Sequence, residues 1–221
     1  MDFTALADPV AAGIVVGGTA LATGLRAGWR DCAQTMRQSA RLFLRPFNAT
    51  RIQAELARQV RDIKADGLLR ADLHAFGDRE FDDATAAMIE ARSVDALVAR
   101  HEQHAARRTA AARTASTTLA QAAELAPVFG LAGTLTSLSQ LPSDGLAAGE
   151  FAGVISMAVL TTLYGLLLAN LACAPVARLI ERRSQREEAR RQELVDWMVA
   201  NVAPYQPSRA PARVVPEAEA A

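Results

Sequence analysis

Two threonines sit where hydroxyl groups are uncommon. Thr134 lies in "GLAGT" and Thr162 in "VLTTLYG", each inside a long stretch without charge. A lone threonine in such surroundings usually bonds to a carbonyl one turn back on its own helix. Two of them at similar depth on antiparallel neighbours put polar groups at one level of an apolar environment. If several copies of the chain assemble, these groups form polar rings in an apolar lumen. No Asp, Glu, Lys or His lies deep in any of the apolar stretches, and Glu124 falls at the edge of one. Moving a proton or a sodium ion through hydrocarbon generally needs an ionisable group. If this chain conducts ions, a partner must bring the carboxylate.

Other chemistry is sparse. Cys32 and Cys173 are far apart and match no ligand spacing. "HEQH" (His101 to His104) sets two histidines three apart in an Arg-rich segment and reads as a solvated helix face rather than a metal site. No nucleophile–base arrangement or phosphate-binding loop is present, so neither an enzyme nor a cofactor is expected. Formal net charge is zero, which argues against a nucleic-acid partner, since that needs a basic excess.

Zero net charge hides strong segregation. Three stretches qualify as membrane spans, which need roughly 20 apolar residues. The first is Pro9 to Leu25, slightly short, between Asp8 and Arg26. The second is free of charge from Leu125 to Leu141 and extends back to Leu119. The third, Phe151 to Val176, is long enough unaided. "PSDGLAAGE" joins the second and third as a short polar turn, which makes them a tight hairpin. A cleaved signal peptide is the alternative for the first stretch. Such peptides carry positive charge before the apolar core; here Asp2 and Asp8 precede it and five arginines follow. Arg26, Arg30, Arg37, Arg41 and Arg45 follow the first span, and Arg178, Arg182, Arg183 and Arg186 follow the third. The short loop holds Asp144 and Glu150 and no base. The excess of arginine on one side predicts the N-terminus outside, the short loop outside and the C-terminus inside. Both cysteines then face or border a reducing compartment, and no disulfide is expected.

The region expected inside is helical. Ile52, Leu56, Val60 and Ile63 recur at spacings of three and four. Gly67 reads as a break or cap. A second helix is expected from Asp82 or Asp83, continuing without a stop into the membrane near Leu119. The third span is expected to run on into "RLIERRSQREEARRQELVDWM", so that two helices project from one hairpin and pack as a stalk. The Pro- and Ala-rich tail reads as disordered. Within the spans, Gly13 and Gly17 sit four apart, a spacing that lets membrane helices approach closely. Pro127 bends its helix and frees a carbonyl, which is tolerated where the site is buried or lines a cavity.

At this point "APVFGLAGTLTSL" followed by "MAVLTTLYGLLLANLACAPVARLIERR" resembles the paired membrane helices of the MotA/TolQ/ExbB proton-channel family. The pattern is AP-x-x-G-x-x-GT, then TT-x-YG-x-x-x-AN and a following proline, over roughly Ala126 to Arg183. "DPVAAGIVVGGTALAT" is similar to the second span of MotA-type subunits, which usually carry one more span at the N-terminus. ExbB and TolQ usually carry a Glu five positions before the threonine that matches Thr162; here that position is Met157. The resemblance implies that Thr134 and Thr162 line a pore, and that Pro127, Gly130, Gly133 and Pro175 shape its helices. It further implies a homopentamer around a single-span partner of the MotB/ExbD/TolR kind that supplies an Asp. Rotation driven by protons or sodium ions, against a flagellar rotor in the MotA case, is the implied work. ExbB- or TolQ-like energising of outer-membrane transport or envelope integrity is the alternative, and a non-conducting scaffold a third.

The fold expected is all-α: a helical membrane protein with three transmembrane helices and long cytoplasmic helical extensions, in the bacterial inner membrane. Residues 1–28 form the N-terminal span, 29–118 a cytoplasmic helical region, 119–183 the pore hairpin, 184–202 a cytoplasmic helix and 203–221 a disordered tail.

Overall fold

The computed structural model describes residues 8–42, 49–66, 77–139 and 148–205, and these are helical with no strand among them. The helices are α1 (Pro9–Ala27), α2 (Trp29–Arg41), α3 (Ala49–Asp66), α4 (Arg79–Ala91), α5 (Val94–Ser139), α6 (Ala148–Leu167) and α7 (Ala174–Val202). A π-helical stretch, Leu168–Cys173, joins α6 to α7, and a short 3-10 turn, Ala203–Tyr205, follows. Gly67 and the tail beyond Tyr205 lie outside the described residues.

The ends of the helices follow from local chemistry. Asp8 caps α1: its Oδ1 accepts from the N–H groups of Val10 (2.8 Å) and Ala11 (3.3 Å), and Pro9 occupies the first turn, where its missing N–H costs nothing. Gly28 ends α1 with φ +90°, a backbone state that favours glycine, and turns the chain into α2.

α4 begins earlier than expected. Asp78, not Asp82 or Asp83, is its cap, with Oδ1 accepting from Glu80 (3.0 Å) and Phe81 (3.4 Å). Asp82 sits in the first turn, where an acid complements the helix dipole but caps nothing. The expected continuous helix from there into the membrane is also corrected, because the chain breaks at Arg92 and Ser93. Arg92 is left-handed (φ 52°), and the Ser93 N–H donates to Met88 O at 3.1 Å, the bond that closes a left-handed helix end. Ser93 Oγ then accepts from Asp95 N–H (3.2 Å) and opens α5. From Val94 onward α5 is unbroken for 46 residues, through Pro127.

The chain divides into two compact units, residues 1–46 with 107–186 and residues 47–106 with 187–221. α5 and α7 contribute to both. In the second unit Ile52, Leu56, Val60 and Ile63 of α3 pack with Phe81 and Met88 of α4, Val94 and Leu97 of α5, and Leu194, Val195 and Met198 of α7. In the first unit Ala112 and Ala115 of α5 pack on Ile180 of α7, with Leu42, Leu119 and Val176 beside them. α5 and α7 thus pack on each other within each unit.

Among the described residues, two helical segments are long and apolar enough to cross a membrane: Pro9–Ala27 and Phe151–Tyr205. In each, only 22% of the apolar window is buried, far too little for the core helix of a soluble domain. The C-terminal part of α5 does not reach the same apolarity among the described residues. Glu124, Pro127 and its Gly, Ser and Thr residues dilute it.

Candidate functional site

The hairpin of α5 and α6 is held by glycine. An added Cβ on Gly130 would stand 3.0 Å from Thr161 O and 3.3 Å from Thr162 Cα. On Gly133 it would stand 2.8 Å from the Thr161 side chain. On Gly165 it would stand 2.6 Å from Ala126 O and 3.2 Å from Pro127 Cα. The approaches at Gly133 and Gly165 are closer than a side chain tolerates and that at Gly130 is tight, so the two backbones meet because these positions lack side chains. Thr161, fully buried, fills the seam against Gly133, with its hydroxyl donating to Ala158 O at 2.9 Å. Ser137, also buried, donates to Gly133 O at 2.9 Å.

Thr134 and Thr162 stand on a different face. Both line a shallow concavity of ≈ 470 Å³, with Leu138, Ile155, Val159 and Leu166 among its other walls. Thr134 Oγ1 donates to Leu131 O (2.6 Å) and Thr162 Oγ1 to Ala158 O (3.3 Å). Each hydroxyl proton is therefore committed to its own helix. A hydroxyl still has acceptor capacity once its proton is used, so each oxygen can receive a hydrogen bond from water or a protonated carboxyl group.

Beyond the hairpin, the π stretch is marked by the Ala174 N–H, which reaches back five residues to Ala169 O rather than four. Pro175, which follows, has no N–H to offer Leu171 O. Asn170 Nδ2 donates to Leu166 O at 2.9 Å within the same stretch. Gly13 and Gly17 meet nothing within 4 Å. Gly18, not singled out from sequence, is the α1 glycine that the chain covers, with the Phe129 ring against it. Asp8 N–H donates to Tyr164 Oη (3.2 Å), which ties the start of α1 to α6. Arg26 and Glu124 stand 3.9 Å apart, both exposed, an ion pair too solvated to hold the fold.

The ionisable groups cluster in the second unit. Arg191, 7% exposed, forks onto Asp78 (2.7 and 3.3 Å), bonds Glu187 (3.1 Å) and lies 5.5 Å above the Phe81 ring. Burial works against charge on Asp78. The bonds from Arg191 and from the N–H groups of Glu80 and Phe81 outweigh it and hold the carboxyl below the usual range. Burial likewise works against the Arg191 cation, and Asp78, Glu187 and Glu80 outweigh it. The expectation of a solvated face at "HEQH" is corrected for His101. It is buried, 3.5 Å from Glu188 and stacked at a tilt on Phe81 with ring centres 6.4 Å apart. His104 meets Asp83 at 2.7 Å. An Arg-rich segment hides such a histidine because periodicity alone does not say which arc of a long helix turns inward.

A helical membrane protein built around a close-packed two-helix hairpin is the class that these features define. The model of the MotA/TolQ/ExbB proton channel family matches residues 71–193, more than half of the chain, and the chain belongs to that family. It is a family of channels and not of enzymes. Motility protein A of Borreliella burgdorferi is 32% identical over 78 residues, 35% of this chain and 30% of that protein. The chemotaxis protein PomA of Vibrio alginolyticus is 31% identical over 77 residues, 35% of this chain and 30% of that protein. The match thus spans under a third of the length of either relative. The flagellar MotAB stator complex of Bacillus subtilis shares the fold at a TM-score of 0.76 and 19% identity, over 91% of this chain and 81% of that one. MotAB of C. jejuni does so at 0.78 and 15%, over 90% and 79%.

Proposed function

We propose that this chain is the channel-forming subunit of an ion-driven rotary motor, a MotA-like stator subunit of the bacterial inner membrane. The observation that carries this reading is that Thr134 of α5 and Thr162 of α6 line one and the same concavity, whose wall is otherwise apolar. Five copies surround a MotB-like single-span partner. Its Asp, protonated, donates to the threonine oxygens and, ionised, withdraws from the apolar wall. Protons, or sodium ions, thereby gate rotation of one set of helices against the other. Residues 119–183 form the pore hairpin, which makes the C-terminal part of α5 the second of three spans. The N-terminus is periplasmic and the C-terminus cytoplasmic. Met157 in place of a glutamate, and relatives named for motility, favour a stator over an ExbB- or TolQ-like energiser.

The test is the pair Thr134→Val with Thr162→Val, assayed for assembly with the partner and for ion flux or motility. Valine keeps the shape and removes the acceptor. Assembly should lose only about 1 kcal/mol per hydroxyl, while flux is lost. Thr→Ser at both positions should restore it. Undiminished flux in the valine pair would sink the pore reading.

A further inference from the structure

α2 carries three faces, and only one of them is satisfied by its own chain. Thr35 is buried, the Leu42 side chain packs beside Ala112, Ala115 and Ile180, and Leu42 O accepts from Arg183 at 2.7 Å. That side fixes α2 to its unit. On a second face Trp29, Ala33, Met36 and Ala40 follow one another at steps of four, three and four, which is one stripe of a helix. All four are exposed, Trp29 at 85% and Met36 at 74%. On the third face, next to that stripe, stand Arg30, Arg37 and Arg41, also exposed.

We propose that α2 is an interfacial helix that docks on the anionic headgroup layer of the membrane beside α1. Three observations on this helix select the occupant. The first is continuity: Gly28 (φ +90°) is the single residue between the apolar span α1 and Trp29, so α2 starts where the span leaves hydrocarbon. The second is the kind of apolar residue. An indole at the first position sits well at the bilayer–water boundary, with its ring among acyl chains and its N–H towards water. The third is charge complementarity. Three guanidinium groups flank the stripe, and long arginine stems reach from an apolar surface to phosphate groups above it. A neutral partner protein has no use for that cationic edge, whereas phosphatidylglycerol-type headgroups do. The inference rests on α1 crossing the membrane, as the proposed function has it. Docking would fix the angle at which the chain leaves the bilayer.

The chain has two tryptophans, Trp29 and Trp197, so Trp197→Phe leaves Trp29 as the only indole. The full chain carrying that change is reconstituted in phosphatidylcholine vesicles with and without phosphatidylglycerol. Its fluorescence is then quenched by brominated lipid or by aqueous iodide. With phosphatidylglycerol, Trp29 should be quenched by the lipid and shielded from iodide. Arg30→Gln, Arg37→Gln and Arg41→Gln together should return it to iodide, each arginine shifting the balance by roughly fivefold. Iodide quenching as strong as that of free indole overturns the proposal. Protection from both quenchers overturns it too, because a second copy or another protein would then cover the stripe. Protection that survives the loss of the three arginines overturns their part in it. A control separates the two readings: Leu21→Trp in a chain lacking both native tryptophans. If lipid bromine quenches Trp at 21 but not Trp29, only the docking fails. If it quenches neither, the span itself fails.

Discussion

The two units bury opposite kinds of residue. In residues 47–106 with 187–221, leucine, isoleucine, methionine and valine point inward around Leu56, Ile63, Met88 and Met198. In residues 1–46 with 107–186, the α5–α6 seam is made by Gly130, Gly133, Gly165 and Thr161, while Leu21, Val128, Leu131, Leu135, Val159 and Leu171 are exposed. Water expels apolar surface and so organises the first arrangement. Lipid is as apolar as leucine and provides no such drive, so small residues that allow backbone contact organise the second. The same α5 and α7 contribute to both units and change rules along their length.

Mutations can break or sharpen this contrast. The largest effect is expected from Arg191→Ala. It strands Asp78 and Glu187 beside a buried gap and should cost about 3–5 kcal/mol, read as lost hydrogen-exchange protection of α3 and α4 amides in the full chain. Leu56→Ala should cost about 2–5 kcal/mol by the same measure, as a cavity in a closed core. Leu135→Ala, at a 68% exposed position, should cost under about 0.5 kcal/mol in the dissociated chain. Equal losses at Leu56 and Leu135 would break the contrast. A loss at Leu135 confined to the assembled complex would sharpen it, by marking a face that another chain covers.

Gly165→Ala should cost about 1–3 kcal/mol and push α6 from α5, measured as a longer distance between spin labels on the two helices. A silent alanine there would mean that the seam is not set by backbone contact. The smallest effect concerns acid. The folded-state pKa of Asp78 lies below its ordinary 3.8, so its stabilisation is complete above that value and is lost as pH falls further, through the folded pKa. Asp78→Asn should flatten this dependence of the second unit's exchange protection while leaving the hairpin unchanged.

Much of this was legible in the residues. Helical class, the first and third apolar stretches, the α3 stripe of Ile52, Leu56, Val60 and Ile63, and the run of the last span into α7 all follow from periodicity and charge. What escaped shows where sequence signals end. The stop at Arg92 was invisible because a left-handed helix end normally announces itself by Gly or Asn, and here it is an arginine. The cap at Asp78 lay behind Asp82 and Asp83, which advertise a helix start equally well. In the hairpin, the doublet Thr161–Thr162 looks uniform, yet the first residue fills the seam and the second faces the concavity. Gly165 stood in plain sight within "LYG", but only a partner backbone at contact distance distinguishes it from Gly13 or Gly17.

The π stretch at Leu168–Cys173 has a consequence for how the polypeptide is read along its axis. A π turn holds about one residue more than an α turn, and each residue of an α-helix advances about 100° around the axis. Everything after Cys173 is therefore out of phase with a stripe extrapolated from α6. The residues that turn inward on α7, Ala177, Ile180, Arg191, Leu194, Val195 and Met198, obey a clock reset at Pro175. A single extra residue thus acts as a gearing between two stretches of one rod.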